Sequence, residues 1–412
     1  MSKRKSVIAV LCGNALAWYD FLLYASFAPI FAEIFFPAKT VFTSVMLTFS
    51  VFAVSFLMRP IGGVVLGYYG DYTGRRKILI ISSCLMSVST LCMGFLPTYQ
   101  SMGILATILF ILFRFMQGFA MGGELPGSAT FLIEHMFAKR RGFAGSLAAS
   151  SLFFGIFLAF FVAALLISIL PDVYSDLGWR LAYILGGLLG VVAFYYRIKC
   201  DESPYFLNQS EVITKPVRII FSKYKTQLSL AIIYTSVLAV GNYILIAYVT
   251  TFLVKFEGFL FRDALIINFM AILFLTLLIP VIGFLSDYWG RKSFLLFGLV
   301  SLLLYIFPSF WLLSHPFFHY ALSGELLLSI ALAPINAVVP TMIAEMFPVS
   351  VRISGLSLGY NVGQAVFGGT AAIAAFSLIK MTGNYSSPAL YVFFIALVVL
   401  VVTHMTNATP SE

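Results

Sequence analysis

Five charged or strongly polar residues stand inside long apolar runs: Asp20, Arg59, Arg114, Gln117 and Glu124. A charge within hydrocarbon costs about 2.5 to 3.5 kcal/mol on insertion scales, so one that persists has a partner or borders a wet cavity. Asp20 is an acid whose proton affinity can be moved by desolvation or a nearby cation, which is the chemistry of a proton carrier. Helix packing through a hydrogen bond is the other reading. Ala17, Asp20, Tyr24 and Phe27 recur at spacings of three and four and share one helical face, with Tyr24 a substrate candidate if that face lines a cavity. Arg114, Gln117, Met121 and Glu124 form a second stripe, a cation near one end and an acid near the other. Such a stripe serves a substrate carrying both charges, or lets Arg114 pair with Asp20 when the proton leaves; an arginine here can also be structural. Glu124 precedes Leu125 and Pro126, and the proline's missing donor predicts a helix that breaks or bends there, with Glu124 either coupling protons or capping the helix end. Arg59, before Pro60, Gly62 and Gly63, reads as a substrate or coupling cation, or as part of a kink.

Further along, Asn242, Tyr243 and Tyr248, then Tyr360, Asn361 and Gln364, are polar groups in apolar surroundings and candidate substrate contacts. Tyrosine offers a ring face to cations and a hydroxyl to carboxylates. With 21 tyrosines and 43 phenylalanines, most aromatics must simply pack or face lipid. Enzyme chemistry finds no purchase. Cys12, Cys84, Cys92 and Cys200 follow no metal or disulfide spacing, and His135, His315, His319 and His404 form no paired-ligand motif. A phosphate-binding loop is absent, so neither ATP, a cofactor nor a metal is expected.

The elements that position these groups follow from composition. Of 412 residues 61% are hydrophobic and 10% charged, where a soluble domain carries roughly 25% charged residues, so the chain reads as an all-α integral membrane protein. Its net charge of +9 lies in clusters between apolar runs, which is what membrane topology requires and argues against nucleic acid. A span needs about 20 apolar residues, and twelve segments qualify: 7–35, 42–69, 78–97, 103–124, 143–169, 180–199, 227–254, 264–285, 293–314, 320–344, 354–379 and 388–406. The basic start, Met1 to Lys5, is followed by no cleavage site and reads as the entry to a retained first helix. The longest polar interruption predicts two six-helix bundles, residues 1–200 and 227–412, joined by a cytoplasmic linker over 201–226. Eighteen Lys and Arg residues fall on one side of this scheme and five, Lys39 among them, on the other. That bias predicts both termini in the cytoplasm.

The halves repeat. GYYGDYTGRRK (Gly67 to Lys77) recurs as GFLSDYWGRK (Gly283 to Lys292), and Glu134 with Arg141 recurs as Glu345 with Arg352 at an offset of 211. Parallel duplication is the architecture of a two-bundle transporter with its site between the halves. The first loop, with Gly67, Asp71, Gly74, Arg75 and Arg76 in register, resembles the signature of the major facilitator superfamily. GNALAWYDF (from Gly13), RPIGG (from Arg59), RFMQGFAMGGE (from Arg114), RRGFAGS (from Arg140), ESPYF (from Glu202) and EMFPVSVRISGLSLGYN (from Glu345) are similar to its metabolite:proton symporters. That branch includes carriers of proline and betaine, α-ketoglutarate, citrate and shikimate. Two departures stand out: Ala17 replaces a glutamate usual in the family, and no long coiled coil follows the last span, so osmotic gating of that kind is not expected.

The resemblance implies a proton-driven symporter that imports a small polar metabolite by alternating access, as a monomer in a bacterial inner membrane. An exporter on the same fold and a transport-dead sensor are the rivals. Asp71 with Arg75 and Arg76, and Asp287 with Arg291 and Lys292, can form charge pairs with neighbouring helix ends that hold one arrangement of the bundles; topology-setting charge alone is the alternative. Glu134, Arg141, Glu345 and Arg352 are expected to complete those networks.

Overall fold

Helices and their connections make up the computed structural model, which describes residues 3–37, 41–136, 138–169, 177–207, 216–384 and 386–406. Lys39 and Lys215 of the charge count, and linker residues 208–215, lie outside the described residues. Among the described residues twelve helices are long and apolar enough to cross a membrane: α1 (Arg4–Ser26), α2 (Ser50–Thr73), α3 (Arg75–Gly94), α4 (Ile104–His135), α5 (Arg141–Leu166), α6 (Leu177–Ile198), α7 (Lys225–Val254), α8 (Phe261–Trp289), α9 (Arg291–Leu313), α10 (Phe318–Glu345), α11 (Val349–Thr382) and α12 (Pro388–Met405). In hydrocarbon every backbone polar group must bond within its own segment, so such sequences have no alternative to the helix. An even number of spans puts both termini on one face, the face that carries the basic loops.

Two boundaries differ from expectation. The first apolar run stops being one helix at Phe27, after which a short helix, Ala28–Ile34, restarts. In α4 the expected break at Pro126 does not occur: the helix runs on to His135. Prolines at 60, 280, 308, 334 and 340 also lie within helices. Neighbouring helices and small local adjustments re-satisfy the carbonyls that each proline frees, which is why membrane helices tolerate them.

Close backbone approach sets the packing of the site. At the α2–α4 crossing a Cβ on Gly62 would meet the Phe119 carbonyl, and one on Gly122 would meet the Arg59 carbonyl and the Gly63 amide. Small residues permit such contact and fix Arg59 against α4. Across the molecule α5 packs on α8, where Ser150 Oγ donates to the Thr276 carbonyl at 2.9 Å, and α2 packs on α11. Gly74 and Gly290, the repeat-related loop glycines, have φ of 113° and 85°, so each sharp turn into α3 and α9 demands glycine. A single π-helical turn interrupts α7 at Ile244–Tyr248 and α11 at Gln364–Gly368; such turns mark functional sites more often than chance.

Candidate functional site

Arg59 lies fully buried where α2 meets α7 and α11. Its Nε donates to Asn361 Oδ1 at 3.3 Å and its Nη1 to the Tyr243 hydroxyl at 3.5 Å, while Nη2 has no partner. The rings of Trp18, Phe21, Phe56 and Tyr360 stand 5.3 to 5.9 Å from the guanidinium. Asn361 is itself fixed, donating to the Gly122 carbonyl at 2.7 Å and the Ser357 carbonyl at 2.9 Å. Among the described residues the result is a cation with a spare donor at Nη2, no carboxylate partner and aromatic walls. Gln364, one turn on from Tyr360, leaves its Oε1 without a partner. Arg59, Tyr243, Tyr360 and Asn361 are thus brought together, with Gln364 beside them.

Other candidates go elsewhere. Asn242 and Asn336 exchange reciprocal hydrogen bonds at 2.9 Å between α7 and α10, which occupies both amides. Tyr248 stacks on Phe252 and Phe310, inside the second half. Tyr24 donates to the Thr48 carbonyl and lies 4.4 Å from the Arg114 guanidinium.

Arg114 is the second buried cation, 4.8 Å from the same Phe21 ring. It does not reach Asp20 directly, as the sequence had suggested. Its Nη1 donates to the Phe21 carbonyl at 3.2 Å and to Gln117 Oε1 at 2.7 Å; Gln117 Nε2 donates to Thr90 Oγ1 at 2.9 Å; and Thr90 lies beside Asp20. Asp20 is turned toward α3 and α6, against Gly186 and a small space lined also by Gly13, Ser83, Ser87 and Gly190. Helical periodicity groups residues on one face but does not say which neighbour that face meets: Asp20 borders this small space between α1, α3 and α6. Thr90 was missed, having only an ordinary hydroxyl to announce it.

The lower part of the α4 stripe does different work. Glu124 makes a short buried ion pair with Arg197 of α6 and accepts from Ser82 Oγ at 2.7 Å. Arg197 Nη1 also reaches the Leu79 carbonyl and Ser83. Glu124 therefore neither caps a helix end nor meets Asp20 or Arg114. It ties α4 to α3 and α6, and its partner had been read only as a topology charge because it stands at a span's end.

On the basic face the repeated loop residues close the two halves together. Asp71 accepts from the Ile353 and Ser354 amides at 3.3 and 2.9 Å, at the start of α11. Asp287 accepts from the Gly142 and Phe143 amides at 2.7 and 2.9 Å, at the start of α5. Each carboxylate satisfies orphan amides and meets the positive end of a helix from the opposite half. Arg75 bonds Glu134 through Nε and Nη2 at 3.1 and 3.2 Å, and reaches the Val349 carbonyl at 2.8 Å. Arg352 meets the same Glu134 at 3.3 Å. Arg291 joins Asp287 at 3.4 Å and Glu345 at 3.0 Å. Gly67 lets α2 lie on Ser354 and Ser357. Arg76 donates to the Ile198 carbonyl, and Arg141 bonds the Tyr205 hydroxyl at 3.4 Å. Linker residues that sequence reasoning had not given a role complete this corner: Glu202 accepts from the Arg75 and Arg76 amides at 2.9 and 3.2 Å, and Ser203 donates to Glu134.

Comparison with known proteins places this geometry. Residues 5–215 match the family model for sugar (and other) transporters. A protein of Staphylococcus aureus (strain COL) with a provisional proline/betaine transporter name is 34% identical, over 99% of this chain and 89% of its own length. The proline/betaine transporter of Escherichia coli (strain K12) is 31% identical, over 97% and 82%. A glycine betaine/proline/ectoine/pipecolic acid transporter of Dickeya dadantii (strain 3937) is also 31% identical, over 96% and 81%. Among solved structures, a proton:xylose symporter bound to 6-bromo-6-deoxy-D-glucose superposes with a TM-score of 0.79, covering 98% of this chain and 95% of that one at 15% identity, which speaks to the fold. The chain therefore belongs to the major facilitator superfamily, among the metabolite:proton symporters, and is a membrane transporter rather than an enzyme.

Proposed function

We propose that the chain imports a small zwitterion or organic carboxylate together with protons, holding the substrate carboxylate at Arg59. The observation that carries this reading is the unpartnered Nη2 of a fully buried Arg59 at the junction of the halves. A guanidinium with a free donor is suited to a carboxylate, and the rings of Trp18, Phe56 and Tyr360 beside it suit an ammonium or a methylated amine. Proline and betaine carry both groups, in keeping with the names of the relatives. Asp20 takes the proton, and Thr90, Gln117 and Arg114 communicate its charge toward Phe21 and the Arg59 site. The bodies that rock are residues 1–200 and 227–412, linked through 201–226, with the basic face and both termini in the cytoplasm of a bacterium. In this reading the monomer works in the inner membrane with the proton gradient as its energy source and no bound cofactor.

The test is uptake into proteoliposomes under an imposed inward pH gradient, with labelled proline, glycine betaine and di- and tricarboxylates. Wild type should accumulate at least one of them. Arg59→Lys should weaken its binding by about 1 to 3 kcal/mol through the lost forked geometry, and Asp20→Asn should retain exchange but lose uphill uptake. Unchanged affinity in Arg59→Lys sinks the substrate assignment, and normal accumulation in Asp20→Asn sinks the proton assignment.

A further inference from the structure

One buried acid remains without a task. Glu325 on α10 is fully buried. Asn268 of α8 donates to its Oε1 at a long 3.5 Å while donating to the Leu245 carbonyl at 2.8 Å, and Oε2 has no partner at all. Asn268 Oδ1 is likewise unpartnered, as is Ser309 Oγ of α9, whose own carbonyl lies against Gly324. The described titratable or charged groups in the same half of the helices packed here are Tyr243 and Tyr248 on α7 with Glu257 beyond it, Arg262 and Asp263 on α8, Tyr305 on α9 with His315 beyond it, and His319 and Tyr320 on α10 itself; the remaining charges of these helices stand at or toward their opposite ends. Among the described side chains none of these pairs or hydrogen-bonds with Glu325. An ionised carboxylate here would have one weak hydrogen bond and no counter-charge, a state that burial penalises heavily and that a proton removes.

Its position is as informative as its isolation. The offset of 211 that relates Glu134 to Glu345 and Arg141 to Arg352 also relates Arg114 to Glu325. The two halves thus place a cation and an acid at equivalent points, and only the cation is linked to an opposite charge. The Leu245 carbonyl that Asn268 holds belongs to the π-helical turn of α7, two residues beyond Tyr243, which touches Arg59.

We infer that Glu325 is a second proton-binding site, in the C-terminal half, connected to the substrate site through Asn268 and the π-helical turn of α7. Its part in coupling rests on the symporter reading above; its occupation by a proton does not. Loss of that proton leaves a charge beside the Asn268 amide, which already donates to both Glu325 and the Leu245 carbonyl; the charge draws the amide toward Glu325 and strains the bond that holds the turn beyond Tyr243.

Infrared spectroscopy of the full chain in lipid nanodiscs, in an Asp20→Asn background, reads the proton directly. The expected result at neutral pH is a C=O stretch from a protonated, dry carboxyl that disappears in Glu325→Gln. Persistence of the band in that variant, or its absence from the parent, overturns the proposal. Sodium-dependent thermal stabilisation lost in Glu325→Gln would assign the site to a metal cation and overturn it equally. Should the glutamine variant fail to fold, Glu325→Asp must shift the band, and an unshifted band counts against the site. With a transported substrate in hand, Glu325→Gln in the otherwise wild-type chain should lower limiting accumulation about tenfold at a gradient of about one pH unit, because each coupled proton supplies one such factor. Unchanged accumulation overturns the coupling role. If no solute is transported by wild type, the spectrum still decides the proton site.

Discussion

The two corners of the gate on the basic face descend from the same repeated loop, and they are not equally strong. In the first, Arg75 is 0% exposed and bonds Glu134 twice, the Gly70 and Val349 carbonyls, and Asp71 more distantly, while Arg352 reaches across from the other half to the same glutamate. In the second, Arg291 is 19% exposed and meets Asp287 and Glu345 through one nitrogen. The aspartate caps are alike; among the described residues the two arginines differ in burial and in the number of bonds each donates. Duplication therefore supplied a symmetric frame, and the linker residues Glu202 and Ser203, packed only on the first corner, made one lock deeper than the other. On the proposed rocking of the halves, the first corner is expected to be the one that limits opening toward the basic face.

The largest effect should come from Glu134→Gln, which leaves Arg75 and Arg352 buried without their shared acid. Breaking a buried pair costs about 3 to 5 kcal/mol, so spin-label distances across the basic face should shift decisively toward the open arrangement. Glu345→Gln should shift them far less, and an equal shift would erase the claimed asymmetry. Next come the caps: Asp71→Ala and Asp287→Ala should each weaken closure by about 0.5 to 2 kcal/mol, the range for losing a helix cap, and by similar amounts, since each carboxylate holds two amides. A marked inequality between them would move the asymmetry from the arginines to the caps.

Arginine to lysine substitutions sharpen the contrast. Arg75→Lys loses a fork that several acceptors share, whereas Arg291→Lys disturbs a partly exposed pair worth about 1 kcal/mol or less. Accessibility of single cysteines on the basic face should rise in the first variant and barely move in the second, and added salt should loosen only the second corner. Gly290→Ala acts on the backbone alone: a Cβ there meets open space, leaving the cost of about 1 to 3 kcal/mol for its positive-φ conformation. Gly74→Ala adds a collision with the Glu202 carboxylate, and thermal stability of the two variants should separate accordingly.

Much of this was legible beforehand, for definable reasons. Spans follow from run length, the gate from a loop motif repeated at a fixed place, and the junction residues Arg59, Tyr243, Tyr360 and Asn361 from polarity in apolar helices. Asp20 was found but its neighbours were not, because periodicity fixes a face and leaves its azimuth in the bundle open. The partner of Glu124 was not legible because Arg197 lies 73 residues away at the end of another span, where a cation has an adequate reason to exist without any pairing. Glu325 carried a readable signal, a lone acid in an apolar helix, and was passed over because it lacked a motif. Thr90 offered nothing: a threonine in a membrane helix most often bonds its own backbone, as Thr235, Thr276 and Thr403 do here.

The π-helical turns in α7 and α11 divide each helix into two segments of different phase. Since one residue advances an α-helix by about 100°, the extra residue absorbed at Ile244–Tyr248 sets the azimuth of Tyr248, which packs on Phe252 and Phe310, relative to Tyr243, which meets Arg59. Removing a single residue from that turn would leave the composition of the helix nearly intact and rotate one segment relative to the other, taking either the substrate-facing ring or the packed one out of place. The binding surface is thus encoded partly as a count of residues, a quantity to which substitution scanning is blind and single-residue deletion is not.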